Sequence, residues 1–570
     1  MRLDLILRDA RILTLDETRP QAGRLGVLNG RVVGFDEELD GCTATTELSL
    51  HGACVVPGFI DAHCHTAWWG LGLGSVDLSG ARGLDELYAL LADGAARLDA
   101  EDDAEDGDAA AGESRAWLHA TGFNHEHHGG AFPDIARLDA ITGDRPLYIR
   151  HTSGHQAVTN TATLRLAGAD APGFEDPEGG HVLRDANGAP TGVVTETAQG
   201  LIQALLLPYA VDTLVDALDE ATTRYAQRGI TSFTEAGIAA GWIGHSPLEV
   251  TAYQTALRTG RLHARAQLMP VLDALQPVHG HADDPQDGGR GLGLGITAGF
   301  GNEHLSLGPV KVFLDGSLLG ATAAVTEDFC GHPHNQGFLL EDPQRFRQRV
   351  EEAYRAGWPV ALHAIGDAAI DLALEIIVGC QERHGRAVLP NRIEHFGMAR
   401  PDQVAAAAEH GIAVTPQAAF IGPLGDQMAD LAGPDREGWL YRGRSIVDAG
   451  GLLAGSSDLP VADNDVLRAM QSWVDRRTDG GRVLGGTDPD GAPVEALTRE
   501  EALRSYTAWA ARATGQADEK GTLAPGKLAD LVVLSGSPLE TDDIAGLAVL
   551  ATAVGGRFTH TTLETDGDRS

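Results

Sequence analysis

At 570 residues the chain has room for two to four domains of about 150 residues, or for one large barrel with insertions, and is too long for a lone binding module. Lys and Arg number 43 against 81 Asp and Glu, a formal charge of −38 that repels a phosphate backbone and argues against a nucleic-acid partner. With 43% hydrophobic and 22% charged residues it can bury large cores, which excludes a disordered acidic protein.

The opening MRLDLILRDARIL alternates charged and apolar groups and lacks the apolar stretch of a secretory signal. It and the runs GRLGVLNGRVVGFDE and ELSLHGACVVPGFID, broken by Gly and Asn, read as an antiparallel sheet. Next come GFIDAHCH, GITSFTEAG, ARAQLMPV, LGPVKVFLDGS, WPVALHAIGD, NRIEHFGM, GIAVTPQ and GLLAGSSD, apolar strands alternating with amphipathic segments. Eight such strands fit a (β/α)₈ TIM barrel of the α/β class, with active groups at the strand C-terminal ends. The first two are about 165 residues apart, too far for one connection, so an inserted α+β subdomain is expected over 66–228. Within it, LDAEDDAEDGDAAAGES reads as a solvated surface loop. HADDPQDGGRGLGLG and DRRTDGGRVLGGTDPDGAP are further loops by composition. LTREEALRSYTAWAARATG reads as a helix with Thr498 and Glu501 as a capping box. GTLAPGKLADLVVLSG and LAVLATAVGGRFTH are again β-rich. Residues 1–57 and 515–570 are therefore expected to form one composite β-sandwich beside a barrel over 58–514.

No run reaches the roughly 18 to 20 apolar residues of a membrane helix, so no membrane is expected as a partner and a cytoplasmic location is. The five cysteines, Cys42, Cys54, Cys64, Cys330 and Cys380, are scattered and odd in number, which predicts reduced thiols. The expected partner is a small-molecule substrate. A homo-oligomer is compatible with the sequence, which does not specify the oligomeric state.

Alternate residues of a strand face one side, so His63 and His65 can grip one cation while Cys64 points away as a packing residue. An HxH pair alone is weak, but His363, His395 and Asp458 each close another apolar strand, and in a barrel those ends meet at one mouth. Histidines with a carboxylate suit a divalent ion, zinc first, with manganese, iron or cobalt as alternatives. Lys311, near the end of the fourth strand, reads either as a buried lysine paired with Asp315 or Glu235, or as a lysine carbamylated by CO₂ that bridges two metals.

The order HxH, Lys, His, His, Asp, with PGFIDAHCH near the start and GTLAPGKLADLVVL near the end, resembles the metal-dependent amidohydrolase superfamily over nearly the whole chain. GFNHEHHGGAFP, DRPLYIRHTSGHQAVTNTATLRLAG, PTGVVTETA, LGPVKVFLDGSLLGATAA, LHAIGDAAID and RIEHFGM resemble its amidohydrolase family 3 branch, which includes N-substituted formamide deformylase and proteins labelled exoenzyme regulatory. The resemblance implies that His63, His65 and Asp458 hold the more buried metal, that His363 and His395 hold the more exposed one, and that carbamylated Lys311 bridges them. Members differ between one and two metals, and without the carbamate a one-metal site remains workable.

The function expected is hydrolysis of a non-peptide C–N bond in a small amide, formamide or cyclic amide. Metal-activated hydroxide attacks, and Asp458 takes its proton and returns it to the leaving amine. A zinc deaminase of the same superfamily is one alternative, and a non-catalytic regulatory or ligand-binding protein that keeps the barrel is another. Candidate substrate contacts are Asn124, His155 and Trp68, with Trp68 and Trp69 walling an apolar pocket or simply packing. Structural hydrogen bonding is the other reading of His155. His125, His127 and His128 read as solvated or as substrate rim, and Glu196 and Asp315 as groups that orient ligands or substrate.

Overall fold

A computed structural model describes residues 1–105, 117–171, 173–284 and 286–563. The site is carried by short parallel strands: β1 (Phe59–Cys64), β2 (Ile230–Ile238), β3 (Arg265–Pro270), β4 (Leu305–Leu307), β5 (Val310–Phe313), β6 (Val360–Ala364), β7 (Arg392–His395), β8 (Ala413–Thr415) and β9 (Leu452–Leu453). They form two sheets of order β4-β3-β2-β1 and β5-β6-β7-β8-β9. Every pairing in both is parallel. Parallel strands covered on both faces need apolar residues at every position, which is why β2 and β6 are buried from end to end.

The two sheets meet at both edges. On one side Val271, just after β3, bridges Lys311 of β5 in parallel. On the other, Ala62 donates its N–H to Gly455 at 3.2 Å and Asp458 donates to His63 at 2.8 Å, so the segment after β9 lies along β1. The strands thus run in a ring. Helices between them lie outside, each burying one stripe. Leu214, Leu218, Ala221 and Tyr225 of Val211–Gln227 recur at helical spacing against the core. Asp342 accepts from the N–H groups of Gln344 and Arg345, and Pro343 fills the first turn of Pro343–Arg355.

The terminal β runs are mixed, not antiparallel as the sequence suggests. Arg2–Arg8 pairs antiparallel with Leu25–Leu28 but parallel with Thr43–Ser49, because the hairpin that follows Leu25–Leu28 carries the chain back to the far edge of Arg2–Arg8. In the neighbouring six-stranded sheet Leu531–Leu534 pairs antiparallel with Cys54–Pro57, Val532 facing Val56. Leu5, Val27, Phe35, Val55, Leu531 and Val533 share one core there.

Between β1 and β2 the chain builds a separate six-stranded sheet, from Val76–Asp77 at one edge to Gly180–Arg184 at the other. It has its own cores, whose buried members run from Val76 to Ile202. The acidic tract read as a loop is helical over its first part, since Leu84–Glu105 is one helix. Its residues 106–114 lie outside the described residues. Thr498 and Glu501 cap a helix as the sequence indicates, but it ends at Ser505 and a second one, Ala508–Ala513, follows after Thr507 leaves helical geometry. Among the described residues no single helix is long and apolar enough to cross a membrane.

Candidate metal centre

β1 ends in His63 and Cys64, and the alternation predicted there holds. His63 and His65 both direct Nε2 to Asp458 Oδ1, at 3.3 and 3.1 Å. Cys64 turns into the core and meets the Thr234 carbonyl at 3.6 Å. His395 closes β7 at φ +68° and Asp458 stands at φ +57°, left-handed conformations that cost a non-glycine residue roughly 1–3 kcal/mol. The ring holds both there, and both aim at one point.

His63, His395 and Asp458 form the tight group: all are buried, and one ligand atom from each lies within 4.8 Å of the others. The His63 and His395 ring centroids are 4.8 Å apart, and His363 stands edge-on to His395 at 4.4 Å. Hydrogen bonds select which nitrogen each ring leaves free. His63 Nδ1 gives its proton to Glu394, so Nε2 faces Asp458. His395 Nδ1 donates to Gln417 Oε1 at 3.0 Å. His363 Nε2 donates to the Gly316 carbonyl at 3.0 Å, leaving Nδ1 without a partner.

His63 Nε2, His65 Nδ1, His363 Nδ1 and Lys311 Nζ are all buried without a hydrogen-bond partner. Buried polar atoms are nearly always satisfied, so the unpartnered His63 Nε2, grouped with His395 and the Asp458 carboxylate, fits a divalent cation of the kind that takes nitrogen and oxygen ligands. Protonation agrees. Burial pushes His65 down to about 4, His395 to about 3 and His363 well below its ordinary value. Burial alone would raise Asp458, but the imidazoles of His63, His65 and His395 set around it hold it well below the carboxylate range. Neutral imidazoles and an ionised carboxylate are the forms that ligate.

Lys311 is buried and lowered to about 8 by desolvation. Its Nζ sits 4.6 Å from the Phe313 ring centroid and pairs with neither Asp315 nor Glu235, the partners the sequence offers. Both acids are engaged elsewhere. Asp315 accepts the N–H groups of Ala324, Ile365 and Gly366 at 2.9 to 3.1 Å, and Glu235 accepts Thr66 N–H at 2.9 Å and the Tyr253 hydroxyl at 2.5 Å.

His155 reaches the centre from the inserted sheet, its ring 5.6 Å from that of His363. Its Nδ1 bonds Glu196 at 2.7 Å, which outweighs burial and raises its pKa, and Glu196 is steadied by Thr322 at 2.8 Å. Trp68 packs 5.6 Å from His65, whereas Trp69 stacks on Tyr225 away from it. Asn124 is buried and precedes the turn His125–His128. Its Oδ1 accepts Glu126 N–H at 3.1 Å and caps the turn His125–His128. His125, His127 and His128 do not converge: His125 bonds His151 at 2.9 Å, His128 stacks on Phe123, and His127 is exposed.

Sequence reasoning missed Glu394, Arg392, Asp61 and Gln417. Arg392 holds Glu394 with Nε and Nη2, both at 2.7 Å. Asp61 accepts the Ser457 N–H and hydroxyl at 3.1 and 2.5 Å, fixing the turn that presents Asp458. For Glu394, Arg392 and Asp61 the signal was present in the strands RIEH and FIDAHC, where charged residues interrupt segments too apolar to tolerate unpaired ones.

A family model described as an amidohydrolase family matches residues 46–560. The chain is 30% identical to Protein LONG AFTER FAR-RED 3 of Arabidopsis thaliana over 97% of its own length and 91% of that protein's. It is 28% identical to N-substituted formamide deformylase of Arthrobacter pascens over 97% of each. A crystal structure of an uncharacterized metal-dependent hydrolase from Pyrococcus horikoshii superposes with a TM-score of 0.72, covering 95% of this chain and 99% of that one at 24% identity, a likeness of fold.

Proposed function

Since this chain belongs to the amidohydrolase family, we propose that it is a metal-dependent hydrolase of a non-peptide C–N bond in a small amide, formamide or cyclic amide. The observation that carries the reading is the buried group His63, His395 and Asp458, one ligand atom of each within 4.8 Å of the others. Similarity to N-substituted formamide deformylase over 97% of both chains supports the choice of bond.

In this reading the ring is a (β/α)₈ barrel over 58–514, the composite β domain comes from 1–57 and 515–570, and 66–228 is the insertion. His63, His65, His363, His395 and Asp458 hold one or two ions, zinc first, and Lys311 joins them once carbamylated. The free amine needed for that reaction with CO₂ is available near neutral pH because burial lowers Lys311 to about 8. A cation here acidifies water toward neutrality and polarises the substrate carbonyl. Asp458, ionised, accepts the proton of the attacking water and passes it to the departing nitrogen. His65 and His63 hold that carboxylate through Oδ1. His155, backed by Glu196, approaches beside His363 and supplies a hydrogen bond to the substrate. The partner is a small molecule, in the cytoplasm.

The test is the metal content of protein purified without added metal or a chelating tag, measured by elemental mass spectrometry, with activity on a panel of formamides and amides before and after chelation. One or two equivalents of metal with chelator-sensitive hydrolysis is the expected result. A chain that takes up no metal even when supplied overturns the reading.

A further inference from the structure

Tyr441 stands at φ +46°, a left-handed conformation that a non-glycine residue keeps only where its surroundings enforce it. A buried guanidinium does so. Arg476 donates from Nη1 to the Tyr441 carbonyl at 2.8 Å and from Nη2 to the Leu440 carbonyl at 2.9 Å. It is fully buried and, among the described residues, forms no salt bridge, a rare use of a charge that is seldom buried without a carboxylate. On the other side the Tyr441 N–H donates to the Gly397 carbonyl at 2.9 Å.

These contacts bring the side chain to the mouth of the ring. A Cβ on Gly397 would stand 3.4 Å from the Tyr441 hydroxyl oxygen and 3.1 Å from Ile365 Cγ2. Gly397 is two residues past His395, and Ile365 is two past His363. The hydroxyl therefore lies just beyond the ends of β6 and β7, over the two imidazoles that close them. Tyr441 is 1% exposed, yet among the described residues its hydroxyl makes no hydrogen bond. A buried tyrosine normally finds a partner for its O–H. Packing explains the ring, which meets Phe420 edge-on at 5.7 Å, but a phenylalanine would pack as well and leave no polar atom unpaired. Burial, and then the charges of Asp458 and Asp315, push the phenol up. It keeps its proton and acts as a donor.

We propose that Tyr441 is a catalytic residue whose hydroxyl donates a hydrogen bond to the carbonyl oxygen of the substrate and holds the negative charge that collects there. The proposal rests on the C–N hydrolase reading for the reaction, but not for the place of the donor. As the water oxygen bonds to the carbonyl carbon, one electron pair of C=O moves onto its oxygen and the proton of the water goes to Asp458. The pair returns when the C–N bond breaks and that proton passes to nitrogen. A donor fixed beforehand by its backbone needs no rearrangement at the moment the charge appears, which is where such a bond contributes most. Arg476 is then a positioning residue, since it acts only through the carbonyls of Leu440 and Tyr441.

The experiment compares the metal-replete wild type with Tyr441→Phe in calorimetric binding of methylphosphonate, whose tetrahedral oxygens stand in for the adduct. The probe has no C–N bond, so the result reads the donor and not the turnover. Binding to Y441F should be weaker by about 10- to 100-fold, the worth of a hydrogen bond to a charged group. Metal content should be equal in the two proteins, and the melting temperature of Y441F unchanged or raised, because the hydroxyl holds nothing in the fold. Equal affinity for the phosphonate overturns the proposal, as does a wild type that does not bind it. A Y441F protein that fails to fold, melts lower or loses metal also overturns it, since the hydroxyl would then be structural. Turnover of the formamide and amide panel is measured in parallel. The expected loss in Y441F is about 10²- to 10³-fold in kcat, with KM changed far less, and undiminished kcat contradicts the assignment. If wild type hydrolyses none of the panel while its phosphonate binding still depends on Tyr441, the choice of bond falls and the donor stands.

Discussion

The Glu394 carboxylate accepts the Nδ1 proton of His63 while the Arg392 guanidinium holds both of its oxygens. Burial alone would raise Glu394, but Arg392 and His63 keep it well below its usual range, so it can only accept. His63 must then carry its proton on Nδ1 and present Nε2 to the centre. Glu394→Gln removes that constraint, since an amide can face either nitrogen. Metal affinity should drop about 10- to 100-fold, read by equilibrium against buffered zinc. Unchanged affinity would mean that the pair only packs.

Asp458→Asn is expected to keep metal and lose nearly all turnover, by about 10²- to 10⁴-fold in kcat. Asparagine tolerates the left-handed conformation found at this position, so the fold is not the variable. Wild-type rates in D458N would remove this carboxylate from the proton transfers.

Lys311→Ala tests the bridging carbamate. The metal count should fall from two toward one or zero, with partial rescue by short carboxylic acids that occupy the vacated space. A count of two in the variant contradicts the assignment.

Glu235, buried beside Thr66 and Tyr253, is pushed up from 4.5 to about 8 by desolvation. The folded protein therefore keeps a proton that the unfolded chain releases above about pH 4.5. The associated stability is fully present below that pH and is lost as pH rises to about 8. Glu235→Gln cannot ionise, so the variant should gain on the order of 1–3 kcal/mol relative to wild type at pH 8 and nothing at pH 4.5. Thermal melts from pH 5 to 8 read the difference, and parallel curves for the two proteins would refute it.

His63, His65, His363, His395 and Asp458 were legible in the sequence because each ends an apolar run, and such ends meet at one mouth. Glu394 and Arg392 were not, although they precede His395 directly. Their role depends on His63, 331 residues away in the chain, and nothing local distinguishes a carboxylate that orients a ligand from one that binds. Asn124 shows how a motif can carry two uses: GFNHEHH looks chemical, and the asparagine oxygen in it satisfies the backbone N–H of Glu126. The parallel pairing of Arg2–Arg8 with Thr43–Ser49 was hidden for the same reason as Glu394, since direction is set by where a strand returns and not by its composition.

The pairing of Leu531–Leu534 with Cys54–Pro57 sets a timetable for synthesis. Cys54–Pro57 runs almost without interruption into β1 and so into His63 and His65. At about 5–20 residues per second, tens of seconds separate the emergence of that strand from the ribosome and the arrival of the partner that completes its sheet. Throughout that interval one backbone edge, two residues upstream of the first ligand strand, is open to other nascent chains. The last tenth of translation closes it, and a message truncated before Leu531 leaves it exposed for the life of the polypeptide.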